Sequence, residues 1–225
     1  MIDLSPILLT AKLALVTTGI LFMIAIPLCY WLVYSKYKFK VVAEVLISLP
    51  LVLPPSVLGF YLLLAFSPNN FFGNFLAQYF DIHLVFTFEG LVVASVIYSL
   101  PFMVNPIQSG LKSLPISLQE ASFTLGKSKF TTLTKILLPN ISPSLLTAIV
   151  MTFAHTLGEF GVVLMVGGSI PNETKVVSIA IYDEVQFMNY DNANIYAAIL
   201  FSFSFVVLLT VHLINHSVHQ KSVLQ

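Results

Sequence analysis

Five stretches of this chain are long and apolar enough to cross a bilayer, and no other feature narrows its fold as far. They cover residues 7–34, 45–66, 91–108, 143–166 and 195–216. A hydrocarbon core of about 30 Å takes about 20 such residues as a helix. Composition agrees: 57% of the 225 residues are hydrophobic and 9% are charged, where soluble domains carry about 25%. The expected fold class is an all-α integral membrane protein of about five transmembrane helices, one membrane domain over residues 1–225 without internal repeats. The first stretch is too long for a secretory signal, lacks a basic start and shows no small-residue cleavage site, so it reads as a permanent helix.

The lysines orient that bundle. There are ten, and no arginine. Lys36, Lys38 and Lys40 follow the first stretch, Lys112, Lys127, Lys129 and Lys135 separate the third from the fourth, and Lys221 lies in the tail. With five spans these share one side; Lys175 stands opposite, and Lys12 starts the first stretch. The lysine-rich side is cytoplasmic. This predicts an outside N-terminus and a cytoplasmic C-terminus. Segments 67–88 and 167–194 become the outer surfaces, the second with an alternating or helical piece, VVSIAIYDEV, suited to the membrane interface.

Several functions fall away. No basic patch interleaved with aromatics marks a nucleic-acid partner. Cys29 is alone in an apolar run, so it makes no disulfide framework or metal site and reads as packing. His212, His216 and His219 lack Cys or acid companions and read as interfacial or solvated. No metal site and no catalytic residue is expected.

The polar insertion at 116–139 is harder to dismiss. Loops between bundle helices run about 2 to 8 residues, and the separation between spans three and four is far longer. Pro115 bars helix before it, and Ser117 with Glu120 forms an S-x-x-E capping box. A short helix should end near Leu125, with Gly126 left-handed beyond it. Ser128 then caps a second helix that Pro139 ends, and Ser142-Pro143 opens the fourth span. Ala121, Leu125, Phe130, Leu133, Ile136 and Leu137 form an apolar face expected to dock into another protein. Gly126-Lys127-Ser128 imitates the end of a phosphate loop, but Ala121 stands where its first glycine belongs and no strand precedes it. Any ATPase must come from a partner.

Glu120-Ala121-Ser122, Gly126 and Ile136-Leu137-Leu138-Pro139 resemble the motif E-A-A-x3-G-x9-I-x-L-P of membrane subunits of binding-protein-dependent ABC importers, with Ser122 in place of an alanine. The resemblance implies that segment 115–139 is a cytoplasmic coupling element seated in a groove of the ATPase subunit. Glu120, Ala121, Ser122, Gly126, Ile136, Leu138 and Pro139 would be its coupling residues. LPLVLPPSVLG at 49–59, HTLGEFG at 155–161 and IPNET at 170–174 resemble motifs of molybdate permeases. His155 replaces their arginine and Asn172 their glycine. Sulfate permeases share the LGEFG element, so a sulfate or thiosulfate importer is the alternative. The resemblance implies a type I importer permease in a bacterial inner or plasma membrane. It would work as a homodimer with two copies of an ABC ATPase and an extracytoplasmic molybdate-binding protein. The chain itself would carry no cofactor, since ATP belongs to the partner.

Residue chemistry adds two expectations. Pro50, Pro54 and Pro55 remove backbone donors and kink the second span. They either shape the bundle or leave helix ends whose N–H groups suit an anion. Without arginine, an oxyanion path would draw on hydroxyls, with Ser48, Ser56, Thr152 and Thr156 as candidates. Pro101 and Pro106 carry the same ambiguity. Glu159 is the one acid inside a span, about 24 Å along it from the cytoplasmic end. His155, four residues earlier, shares its helix face. A carboxylate repels an oxyanion, so Glu159 is expected to brace an outer gate between flexible Gly158 and Gly161, or else to pair with His155 for packing alone. An autonomous anion channel or secondary transporter would show charges along several spans and no docking element. A membrane scaffold would leave the broken helices without a purpose.

Overall fold

In the computed structural model, residues 3–223 are described, apart from the side chains of 211, 212 and 214–223. Lipid offers the backbone no hydrogen-bond partners, so the chain supplies its own through helices. Twelve α-helices are present among the described residues, in chain order: α1 Ser5–Tyr34, α2 Lys40–Ser48, α3 Pro55–Phe66, α4 Phe71–Phe80, α5 Phe88–Ser113, α6 Ile116–Thr124, α7 Lys129–Thr132, α8 Leu138–Asn140, α9 Ser142–Leu157, α10 Gly161–Gly167, α11 Val177–Gln186 and α12 Tyr190–Val223. No strand occurs among the described residues. Helices α1, α5 and α12 are long and apolar enough to cross a membrane, and five spans result if each of two bent pairs counts as one.

The bent pairs sharpen what the prolines foretell. Between α2 and α3 the axis turns by 113°, so the second stretch is folded back rather than merely kinked. Pro50 is buried in a 3-10 turn at Leu49–Leu51, and Pro54-Pro55 starts α3 where a missing N–H costs nothing. The second bend, 81°, lies between α7–α8 and α9. Pro101 and Pro106 sit inside α5, which continues through both.

The core is set by α5, which packs against α1 and α9 along its length. Leu21, Ala25, Cys29 and Leu32 of α1 meet Met103, Val104, Ile107 and Leu111 of α5. Cys29 is fully buried, and its Sγ–H donates to the carbonyl of Val104. Gly110 lets α5 and α9 cross closely, since a Cβ there would lie 2.6 Å from Oγ of Ser144. Small residues at such crossings are how helices associate without a hydrophobic drive between them. VVSIAIYDEV forms the helix α11, whose Val177, Ile179 and Ala180 are buried and which packs against α1 and α12.

The polar insertion departs from its reading in three places. Helix α6 begins at Ile116 with Pro115 as its cap and no side-chain capping bond, so Ser117 lies inside the first turn and the capping box is absent. Pro139 does not end the second helix. A π turn at Leu133–Leu137 precedes it, giving its ring room, and the helix runs on to Asn140. The apolar face is divided: Leu133 and Leu137 are buried in the chain's own core and Ile136 is half-buried, while Ala121, Leu125 and Phe130 are exposed. Gly126, at φ 72°, closes α6, and Ser128 accepts from the N–H of Thr131 at the start of α7.

Candidate functional site

The fourth stretch is not one helix. Helix α9 ends at Leu157, α10 begins at Gly161, and Glu159 lies in the gap. The gap turns the Glu159 side chain inward, where the residue is 3% exposed. A buried carboxylate is tolerated only when its oxygens are hydrogen-bonded. Here Oε1 accepts from the Ser99 hydroxyl at 2.6 Å and Oε2 from Ser95 at 2.5 Å. Both serines stand on one face of α5, one turn apart. The Glu159 carbonyl accepts from Ser178 of α11. One residue thus ties α5 and α11 to the break after α9.

His155 completes the cluster. Its Nδ1 lies 2.9 Å from Oγ of Ser99 and 3.5 Å from Oε1 of Glu159. Ser99 has one proton, which the carboxylate takes, so it turns a lone pair to Nδ1 of His155. That geometry calls for the tautomer with a proton on Nδ1. The imidazole stacks on Phe102 with centroids 3.8 Å apart and leans on Tyr98. The expected His155–Glu159 pair therefore forms, with Ser99 between the partners and the carboxylate outside the helix.

A hollow opens beside this cluster, lined by Pro55, Ser56, His155, Gly158, Glu159 and Gly161 among others. The structure thus brings most of the expected pathway residues together. It leaves out Thr152 and Thr156, which are buried in helix packing; the Thr152 hydroxyl has no partner among the described residues, and that of Thr156 donates back to the Thr152 carbonyl. Ser48 lines a different hollow with Glu44. Gly161 is close-packed rather than loose, because a Cβ there would lie 2.8 Å from that of Pro55. Gly158 has more room, with nothing nearer than 3.7 Å. Ser95 and Ser99 escaped the sequence reading, although their four-residue spacing in an apolar helix mirrors that of His155 and Glu159.

Behind the cluster, Thr174 pins the IPNET turn: its Oγ1 accepts from the N–H of Ile170 and donates to the carbonyl of Gly167. Asn172 in that turn has φ 65°, a left-handed conformation that asparagine tolerates better than most residues. Its stand-in for glycine is thereby explained.

The coupling candidates form a second set at the other end of α9. Glu120, Ala121 and Pro139 are exposed, Ile136 and Leu138 half-buried, and Gly126 has open space around it. Ser122 is buried and hydrogen-bonded to Thr132 at 2.8 Å. Thr132 donates to the Ser128 carbonyl, so Ser122 is the donor of the pair and joins α6 to α7. The side chains of His212, His216 and His219 lie outside the described residues.

Residues 16–222 match the family described as binding-protein-dependent transport system inner membrane component. The chain belongs to that family. It is a multi-pass membrane transport subunit with the family's permease fold. It is 42% identical over 211 residues to the molybdenum transport system permease protein ModB of Azotobacter vinelandii, spanning 93% of each chain. Against the sulfate transport system permease protein CysT of Salmonella typhimurium it is 35% identical, over 80% of this chain and 65% of that one. In fold it resembles the structure described as inward facing conformations of the MetNI methionine ABC transporter, with TM-score 0.72, 17% identity, and 95% and 94% of the two chains covered.

Proposed function

We propose that this chain is the permease subunit of an ATP-driven importer that carries molybdate, or tungstate of the same charge and nearly the same size, from a binding protein into the cytoplasm. The observation that carries this reading is the 42% identity to a molybdenum permease along 93% of both chains. The sulfate permease matches less closely and over a smaller share of its own length.

The geometry supports a division of labour along α9. Segment 115–139 offers Ile116, Phe123, Leu125 and Phe130 outward, an apolar surface suited to a groove on an ATPase. One such segment per chain and two ATPase subunits imply a homodimer with the path between protomers. The lysine asymmetry supports a cytoplasmic segment, an outside N-terminus and a cytoplasmic C-terminus. At the far end of α9, both oxygens of Glu159 are held by Ser95 and Ser99, and its side chain is almost fully buried at the edge of the hollow. Glu159 is a brace for an outer gate rather than a ligand. Ser56 and His155 are the polar side chains that face a passing oxyanion.

Uptake into proteoliposomes holding this chain, the ATPase and the binding protein tests the reading. ATP-dependent entry of labelled molybdate, blocked by tungstate and not by sulfate, is the expected result. Competition by sulfate would move the chain to the sulfate importers. Molybdate flux that ignores ATP would favour an autonomous channel.

A further inference from the structure

Helix α4 has no role in the reading above, yet its surface is unusual. Residues 67–80 contain no charged side chain. Phe71, Phe75 and Tyr79 recur at four-residue spacing and form one stripe, 92%, 43% and 72% exposed, with Phe72 beside it at 47%. A contiguous apolar stripe on a protein surface needs a covering phase.

The helix is also held in place. Gly73 lies so close to α3 that a Cβ would fall 2.2 Å from the carbonyl oxygen of Ser67. Asn70 donates its side-chain amide to the carbonyl of Leu64, and Asn74 donates to that of Pro68. The ring of Phe72 rests against Phe66, the last residue of α3. The stripe is therefore fixed at the end of an apolar helix, α3, whose Phe60, Tyr61 and Leu64 are exposed as well.

We infer that α4 is an interfacial helix that lies in the headgroup layer of the bilayer, its Phe71–Phe75–Tyr79 stripe set at the acyl boundary, and anchors the end of α3 at that depth. Aromatic rings favour this layer because their faces are apolar and their edges tolerate water. Absence of charge fits lipid contact, and attachment to α3, an apolar helix of a membrane-spanning chain with exposed rings of its own, makes lipid the neighbour already at hand. The inference needs only the chain's place in the membrane and stands apart from the identity of the anion.

The test uses the single tryptophan of the chain, Trp31. A Trp31→Phe background carrying Phe75→Trp is assembled with its ATPase in phosphatidylcholine vesicles. Lipid brominated in the upper acyl chain should quench the emission about twofold, and aqueous iodide should leave it nearly unchanged. Quenching by iodide without quenching by brominated lipid would overturn the inference by placing the stripe in water. Protection from both would overturn it in favour of a protein cover, either a second copy or the binding protein. Tyr79→Trp, on the same stripe, gives the same reading where Phe75→Trp fails to assemble.

Discussion

The Ser99 hydroxyl donates to Oε1 of Glu159 at 2.6 Å across two segments of the chain, from the middle of α5 to the gap between α9 and α10. Neither residue makes sense alone. The carboxylate needs donors to stay buried, and the serine gives it the proton that helical hydroxyls elsewhere in the chain, such as Thr10 and Thr147, give to the carbonyl one turn earlier.

That relationship is measurable. Ser99→Ala and Glu159→Ala should each destabilise the protein by about 1–3 kcal/mol, because each leaves a buried partner unpaired. The double variant should cost less than the sum, with a coupling of about 1–2 kcal/mol in thermal unfolding of the detergent-solubilised protein. Strictly additive losses would mean the bond contributes nothing.

Glu159→Gln separates bracing from packing. Glutamine has the same shape and retains one acceptor oxygen. The variant should insert and assemble, hydrolyse ATP with its partner, and lose about tenfold in molybdate uptake, as expected for a gating residue. Wild-type uptake would leave the cluster a packing device.

Ser122 and Thr132 should respond unequally. Ser122→Ala removes a donor while Thr132 keeps its bond to Ser128, so the loss should be at most about 1 kcal/mol. Thr132→Val strands the buried Ser122 hydroxyl, while the Ser128 carbonyl keeps the backbone N–H of residue 132, and should lose more. Melting temperatures of the two variants side by side decide it; a larger loss for Ser122→Ala would reverse the assigned donor.

Glycines in the same motif should also differ. Gly161→Ala pushes a Cβ to within 2.8 Å of that of Pro55, and overpacking of this kind costs about 1–3 kcal/mol. Gly158→Ala, with nothing nearer than 3.7 Å, should stay within about 0.5 kcal/mol of the parent. Thermal unfolding reads both, and a large loss at Gly158 would show that this position needs glycine for its backbone.

The sequence made the helical class legible because long uncharged runs leave few other solutions. Ser128, Gly126 and Ser142-Pro143 announced their helix ends, since caps, left-handed turns and a first-turn proline act locally. What stayed hidden was decided over distance. Glu159 sits in a run apolar enough to pass for continuous helix, and only Ser95, Ser99 and Ser178 from other elements make the break at 158–160 stable. The 113° turn between α2 and α3 likewise depends on packing against α10, through Gly59 and Gly161. Pro139 misled for a local reason: proline stops an ideal α-helix, but the π turn ahead of it removes the clash.

Helix α9 has the segment at 116–139 at one end and the Glu159 gap at the other, and over its 16 residues nothing interrupts its hydrogen bonding. Such a rod is stiff along its axis. A push delivered at Ser142 would be carried toward Leu157 along one unbroken ladder of backbone hydrogen bonds. Its tight crossing with α5, where Gly110 meets Ser144, lies near the pushed end. A lever pivoted there has a short input arm and a long output arm, so a small tilt at one face of the membrane becomes a wider sweep at the other.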